Sequence, residues 1–421
     1  MQLEVLPATP PTAAPSSPAP WVRGLAILPF GLVLGFMWTA LPFLLTRQGV
    51  SLARVAGISA TVLLPTVWAF LVKPVLDSGL TRRAYCWIFA AIASLSVCIG
   101  VSALTPAHLV IAVPALWLAV LSMVLYAGAA NGWISQVTAD RQRGAVAGWA
   151  NLFLLGGGAL GSFAIMELLA RNLLSRSGAG LLMGGMVWVG AAALLFFPAP
   201  TQPRFPLAEA YSTALVALWK TVRRRQSLIG FALLLSPAAG TAAGVLVSGL
   251  GRDFHASEAT VIWVTGIGQA LAISLGALAG GKLADRFPRA YVYLFAGLFS
   301  AATAITTALL PHTALVFIVS TLIYSAIVGA IFSAYNALAL QLTGSSPVAA
   351  TQLGLFAAAI NLNVNYMTRA DGLGYRLSGV RGLFLVDSLA SLLFLLPLLW
   401  VVRAQRSAPT VENDPPRPAI Y

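Results

Sequence analysis

Few residues of this chain carry charge, so those that do narrow its chemistry. Only 9% of the 421 residues are Asp, Glu, Lys or Arg, and 59% are hydrophobic. The densest charged stretch, Gly281-Lys-Leu-Ala-Asp-Arg-Phe-Pro-Arg289, places Lys282, Arg286, Arg289 and the acid Asp285 between two long apolar runs. A weaker copy, Lys73-Pro-Val-Leu-Asp77 followed by Arg82 and Arg83, sits at the matching place in the first half. Groups of this kind make and break ion pairs. They are not a catalytic constellation. His108, His255 and His312 lack ligand spacing, and Cys86 and Cys98 share one apolar run as packing residues. There is no phosphate-binding glycine-lysine loop, and Gly266-Ile-Gly268 is too short for a dinucleotide site. No metal, cofactor or enzymatic reaction is expected.

Ionisable groups inside apolar runs are costly in lipid and are therefore functional candidates. Asp387 falls in the last apolar run and is the candidate for taking up and releasing a proton. Arg369 and Asp371 stand at a similar depth in the run before it, so an Arg369–Asp387 ion pair between two helices is expected. The sharper alternative has Arg369 binding an anionic ligand while Asp387 titrates. Glu167 lies near the end of its run, where snorkelling to water is easy.

The elements that must position these groups follow from composition. Mean hydropathy is +0.86, and the apolar runs approach the roughly 20 residues that a helix needs to cross a bilayer. Continuous rather than alternating apolar runs select helices over a barrel. The expected fold is all-α and integral to the lipid bilayer. Twelve transmembrane helices are predicted near 22–45, 52–74, 83–104, 108–133, 144–168, 179–198, 228–250, 258–281, 290–310, 313–341, 348–374 and 382–402. This gives an N-terminal six-helix half, 21–198, a basic linker, 199–227, and a C-terminal six-helix half, 228–402. The proline-rich residues 1–20 and the polar residues 403–421 are expected to be disordered tails. Residues 208–221 are a candidate amphipathic helix on the membrane surface.

The net charge of +13 resides in short connections, without the basic stripe and interleaved aromatics of a nucleic-acid binder. With both termini inside, 17 of the 25 Lys and Arg fall on the cytoplasmic side, as the positive-inside rule requires. Gly157 and Gly161, and Gly276 and Gly280, are spaced to let helices approach closely.

These residues resemble the major facilitator superfamily. Gly281, Ala284, Asp285, Arg286 and Arg289 match its motif between the second and third spans of a half. Asp77, Arg82 and Arg83 match the first-half copy, with Lys73 in place of the glycine. The resemblance implies a gate in which these residues lock neighbouring helix ends. Within the superfamily the chain is similar to the AmpG-like branch of muropeptide permeases, acetyl-CoA transporters and RhtX/FptX-type siderophore permeases. That similarity rests on Phe43–Leu52, on Leu64-Pro65 through Asp77, and on Ser346–Gln352. Span four lacks the arginine of many drug/proton antiporters, and span seven lacks the acid of some relatives.

The resemblance implies that spans one, four, seven and ten line a path for solute. Candidate substrate-binding residues are Trp38, Tyr126, Asn131, Tyr335 and Asn336, with Gln352, Asn361, Asn365 and Arg369 on span eleven. Amides and aromatics suit a small organic molecule with flat and hydrogen-bonding parts. The expectation is a monomeric permease of the bacterial inner membrane, importing a siderophore or cell-wall fragment, with protons as coupling ion. The alternatives are an exporter of the same fold and a non-transporting receptor or scaffold.

Overall fold

The computed structural model describes residues 18–138, 142–199, 206–237, 241–343 and 349–407. Both expected tails lie largely outside this set, as do 200–205 of the linker and the first three residues, 346–348, of the Ser346–Gln352 stretch. Every element among the described residues is helical. Spans one to six are Pro20–Arg47, Leu52–Leu71, Arg82–Ser102, Leu109–Gln136, Ala145–Ala170 and Arg176–Phe196. Span seven is broken into Arg225–Leu235, Thr241–Leu246 and Val247–Gly249. Spans eight, nine and ten are Glu258–Arg286, Arg289–Leu309 and Ala314–Leu342. The last segment, Gln352–Arg403, is 52 residues long. It holds spans eleven and twelve, separated at Ser378 and Gly379, where the dihedrals leave the helix. Gly379 has φ +61°, a left-handed conformation that glycine adopts without steric penalty. The linker contributes an amphipathic helix, Leu207–Arg223, beginning one residue before the expected 208–221.

Two compact units form. One comprises the chain through Ala40 and Leu71–Thr213; the other comprises Leu41–Phe70 and the chain from Ala214 onward. The end of span one and nearly all of span two thus pack with the C-terminal six spans.

In the first unit, spans one and five cross where side chains vanish. A Cβ on Gly35 would lie 2.4 Å from the Gly158 carbonyl, and one on Gly158 would lie 2.6 Å from that of Gly31. Gly157 and Gly161, the pair that the spacing singles out, also pack on span one, against Leu28 and Leu32, while Gly158 makes the backbone-to-backbone contact. In the second unit, Gly276 and Gly280 do pack as that spacing predicts, against Ala326 and Ala330 of span ten. Span nine and span eleven close over a core of Tyr293, Tyr335, Phe356 and Leu234.

Breaks in the helices free carbonyls, and buried side chains take them up. Span one turns at Leu25–Ile27, and the Tyr126 hydroxyl donates to Ala26 O at 2.8 Å. Span two breaks before Pro65, which has no N–H. The Leu64 N–H bonds Thr61 O rather than the helical acceptor Ala60 O, so Ala60 O is left for a side chain.

Candidate functional site

The charged motif begins inside a helix. Span eight continues to Arg286, so Gly281, Lys282, Asp285 and Arg286 form its last turns and only Phe287 and Pro288 connect it to span nine. The expected loop from 281 to 289 is thereby corrected. An unbroken apolar-to-polar helix needs no loop where its end emerges from lipid. Asp285 and Arg286 are exposed, and Asp285 forms no ion pair among the described residues. Arg289 donates to Gln341 Oε1 at 3.3 Å, joining the start of span nine to the end of span ten.

The first-half copy is built differently. Lys73–Asp77 is a 3₁₀ turn, and Thr81 caps span three by accepting from the Ala84 N–H at 3.2 Å. Arg82 then stands at a helix N-terminus, where a cation is disfavoured. Asp77 compensates, with its Oδ1 2.8 Å from Arg82 Nη2. The guanidinium lies over Gly132 of span four, where a Cβ would sit 2.1 Å from Arg82 Nη1. Gly132 was not singled out by the sequence, since nothing in its neighbourhood reveals a long-range cation. Arg83 is exposed. Lys73 runs its methylenes past Gly128, and burial holds its ammonium below the ordinary lysine pKa.

Span eleven is the organising element of the second unit. The Asn361 amide donates to Thr66 O of span two at 3.3 Å, and Asn365 donates to Ala60 O. Asn363 donates to Ser236 O and Tyr366 to Leu235 O, both at the break of span seven. Positions 361 and 365 share one helix face and 363 and 366 another, so one helix caps the breaks of two others. Gln352 is buried and donates to Thr221 Oγ1 at 2.9 Å. The amides of Gln352, Asn361 and Asn365, and the hydroxyl of Tyr126, therefore donate to protein acceptors, not to open space. Sequence reasoning placed them by type and face but had no view of the orphan carbonyls opposite.

At the end of this unit holding the turn after Arg47, the Arg47 guanidinium pairs with Glu258 at 3.1 Å, and Arg252 donates to Arg47 O. Gly249 lies against Leu52 and Thr46, and Gly372 against Ala56.

Among the other candidates, Trp38 is half-buried within a π-helical turn, Phe36–Ala40. Tyr335 is buried against Phe332. Asn131 and Asn336 are both exposed. They stand equally far from the first residues of Leu109–Gln136 and Ala314–Thr343, the fourth spans of their respective halves. Asp387 is buried with Tyr324, whose hydroxyl donates to Asp387 Oδ2. Arg369 is exposed and forms no ion pair with it among the described residues. The expected Arg369–Asp387 pair is replaced by a tyrosine–carboxylate hydrogen bond, with Arg369 turned to the exposed side and Asp387 buried. Glu167 pairs with Arg171 one turn on, in keeping with a residue near water.

Residues 229–420 match the family model described as Major Facilitator Superfamily. No curated protein matches the chain. Among solved structures, a POT family transporter in complex with a thioalcohol conjugated peptide aligns with TM-score 0.72 and 13% identity, over 91% of this chain and 96% of that one. The D-xylose-proton symporter aligns at 0.67 and 15%, over 90% and 96%. The nucleoside transporter NupG aligns at 0.65 and 12%, over 91% and 98%. The fold is that of the Major Facilitator Superfamily. With that fold the chain is a multi-pass membrane protein, and the solved structures named here are of transporters, none of an enzyme.

Proposed function

We propose that this chain is a secondary active transporter that moves a small organic solute by alternating access. The observation that carries the reading is the clasp on Leu41–Phe70. A segment from the N-terminal six spans is held to span eleven by the amides of Asn361 and Asn365, and to span eight by Arg47–Glu258. A few exchangeable hydrogen bonds and one exposed ion pair suit a contact that opens and recloses. The charge balance supports placing this end outside, with both termini in the cytoplasm of a bacterium and the charged end of span eight at the inner face. Gly281, Asp285, Arg286 and Arg289 in one unit, and Asp77, Arg82 and Arg83 in the other, are the proposed gating residues.

Asn131 and Asn336 are the solute-binding amides, supported by their exposure at equivalent places in the two repeats. Trp38 supplies a flat face. Arg369 follows Asn361 and Asn365 along one helical stripe and is exposed, which supports contact with an anionic group. These residue types fit a siderophore or cell-wall fragment, imported by a single chain with proton drive, in line with the AmpG-like resemblance. Purified protein with a panel of such ligands tests the substrate class, because a true ligand raises Tm with concentration. Uptake into proteoliposomes, with and without a pH gradient, then tests direction and drive. A protein that no ligand stabilises and that moves no solute down its gradient is not this transporter.

A further inference from the structure

Spans nine to twelve bring together polar groups that the clasp and the gates do not use. Asp387 is 1% exposed and Asp371 is fully buried. Tyr324 donates to one oxygen of Asp387. The other oxygen, Oδ1, and both oxygens of Asp371 meet no hydrogen-bond donor among the described residues. Helix packing brings spans eleven and twelve together at this depth. Gly374, one turn after Asp371, faces the Gly382 carbonyl and the Val386 side chain, the neighbour of Asp387. Asp371 is within electrostatic reach of both Asp387 and Tyr324. From span nine, the buried Ser300 hydroxyl faces the Tyr324 oxygen yet meets full hydrogen-bond geometry with no described group.

No base answers these acids. Arg369, Arg376 and Arg381 on the same two spans are exposed, and the described parts of spans seven, nine and ten carry no other charge at this depth. Towards the membrane surface, Tyr375 lies one turn after Asp371 and donates to Asp253 at 3.0 Å. His255 and His312 are within electrostatic reach of Asp253. By helical rise, Asp371 and Asp387 each lie about 10–13 Å from the bend at Ser378.

Ionising both carboxylates would carry the cost of burial and of like charge together. The unpartnered oxygens are all acceptors. The least addition that serves them is a proton, which turns one carboxylate into a donor to the other.

We propose that Asp371 and Asp387 share one exchangeable proton, that Tyr324 and Ser300 position Asp387 to hold it, and that this pair carries the proton of the transport cycle. The last clause rests on the proton-driven reading above. The proton between the two acids does not.

Infrared difference spectroscopy of the protein in nanodiscs, in H2O and D2O, reads the site directly. At neutral pH a protonated-carboxyl band is expected that shifts in D2O. Asp371→Asn and Asp387→Asn should each remove it, and Glu167→Gln should leave it. Tyr324→Phe should move its frequency in folded protein, which keeps the test decisive where the Asn variants fail to fold. A missing band, or one that survives both Asn variants, overturns the proposal. So does a band displaced by Na⁺ but not by choline, which marks a cation site instead. Proteoliposomes loaded with a pH-sensitive dye test the last clause separately. If solute enters without proton movement while the band behaves as expected, the proton-driven reading fails and the shared proton stands.

Discussion

The amide of Asn365 donates to the carbonyl oxygen of Ala60, across 305 positions of sequence. Pro65 and the tightened turn before it leave that carbonyl without its helical N–H, and Asn361 serves Thr66 in the same way. Asn365→Leu with Asn361→Leu is expected to loosen the contact without removing the apolar packing. Interhelical hydrogen bonds in membranes are each worth about 0.6–2 kcal/mol, so the double variant should fold and open more often. A thiol placed by Ala56→Cys, in a chain with Cys86 and Cys98 changed to Ala, should react with maleimide severalfold faster in the double variant. Unchanged labelling would remove the clasp from the mechanism.

The crossing of spans eight and ten has no room to spare. A Cβ on Gly276 would lie 1.8 Å from Ala326 O, whereas one on Gly57 meets nothing within 4 Å. Gly276→Ala should therefore cost about 1–3 kcal/mol, the range for overpacking. Gly57→Ala should be neutral or slightly stabilising, since alanine favours a helix by about 1 kcal/mol. Thermal melts in detergent compare the two.

The Asp77–Arg82 pair is partly exposed, with side-chain accessibility 47% on the acid. Asp77→Asn should lower stability by less than about 1 kcal/mol. Gly132→Ala should do more, since its Cβ would displace the guanidinium outright. If both variants also slow transport equally, the ion pair is part of the cycle and not only of the fold. Tm and the rate of solute uptake separate the two effects.

Burial raises the pKa of Asp253 above the usual aspartate value, opposed by the Tyr375 hydrogen bond and by His312 and His255. Between the unfolded and folded pKa values the folded protein binds more protons. The contribution of this group is thus full below the unfolded pKa, about 3.9, and is lost as pH rises through the folded value. Asp253→Asn should flatten that part of the Tm–pH curve. Tyr375→Phe, which removes the stabilising donor, should extend the loss to higher pH.

The fold class, the span order and the charged ends of spans two and eight were legible because lipid imposes length and polarity on the sequence itself. Two kinds of information were not. Gly281–Arg289 reads as a loop because polar residues end an apolar pattern, yet the helix continues until Pro288 removes an N–H. Asn361 and Asn365 were visible as a polar stripe. Their partners were not, because a carbonyl freed by a break sixty residues into the chain has no signature near residue 365. The Arg369–Asp387 pairing failed for a similar reason. Opposite charge at similar depth says nothing about which helix face each residue occupies.

The bend at Ser378–Gly379 makes spans eleven and twelve a hairpin with almost no connecting chain. An aspartate crossing alone costs about 2.5–3.5 kcal/mol at the middle of a membrane. On the proposed pair, one shared proton offsets part of that cost for both arms of the hairpin. The same glycine turn that ends span eleven thus sets both acids on the two arms of one hairpin.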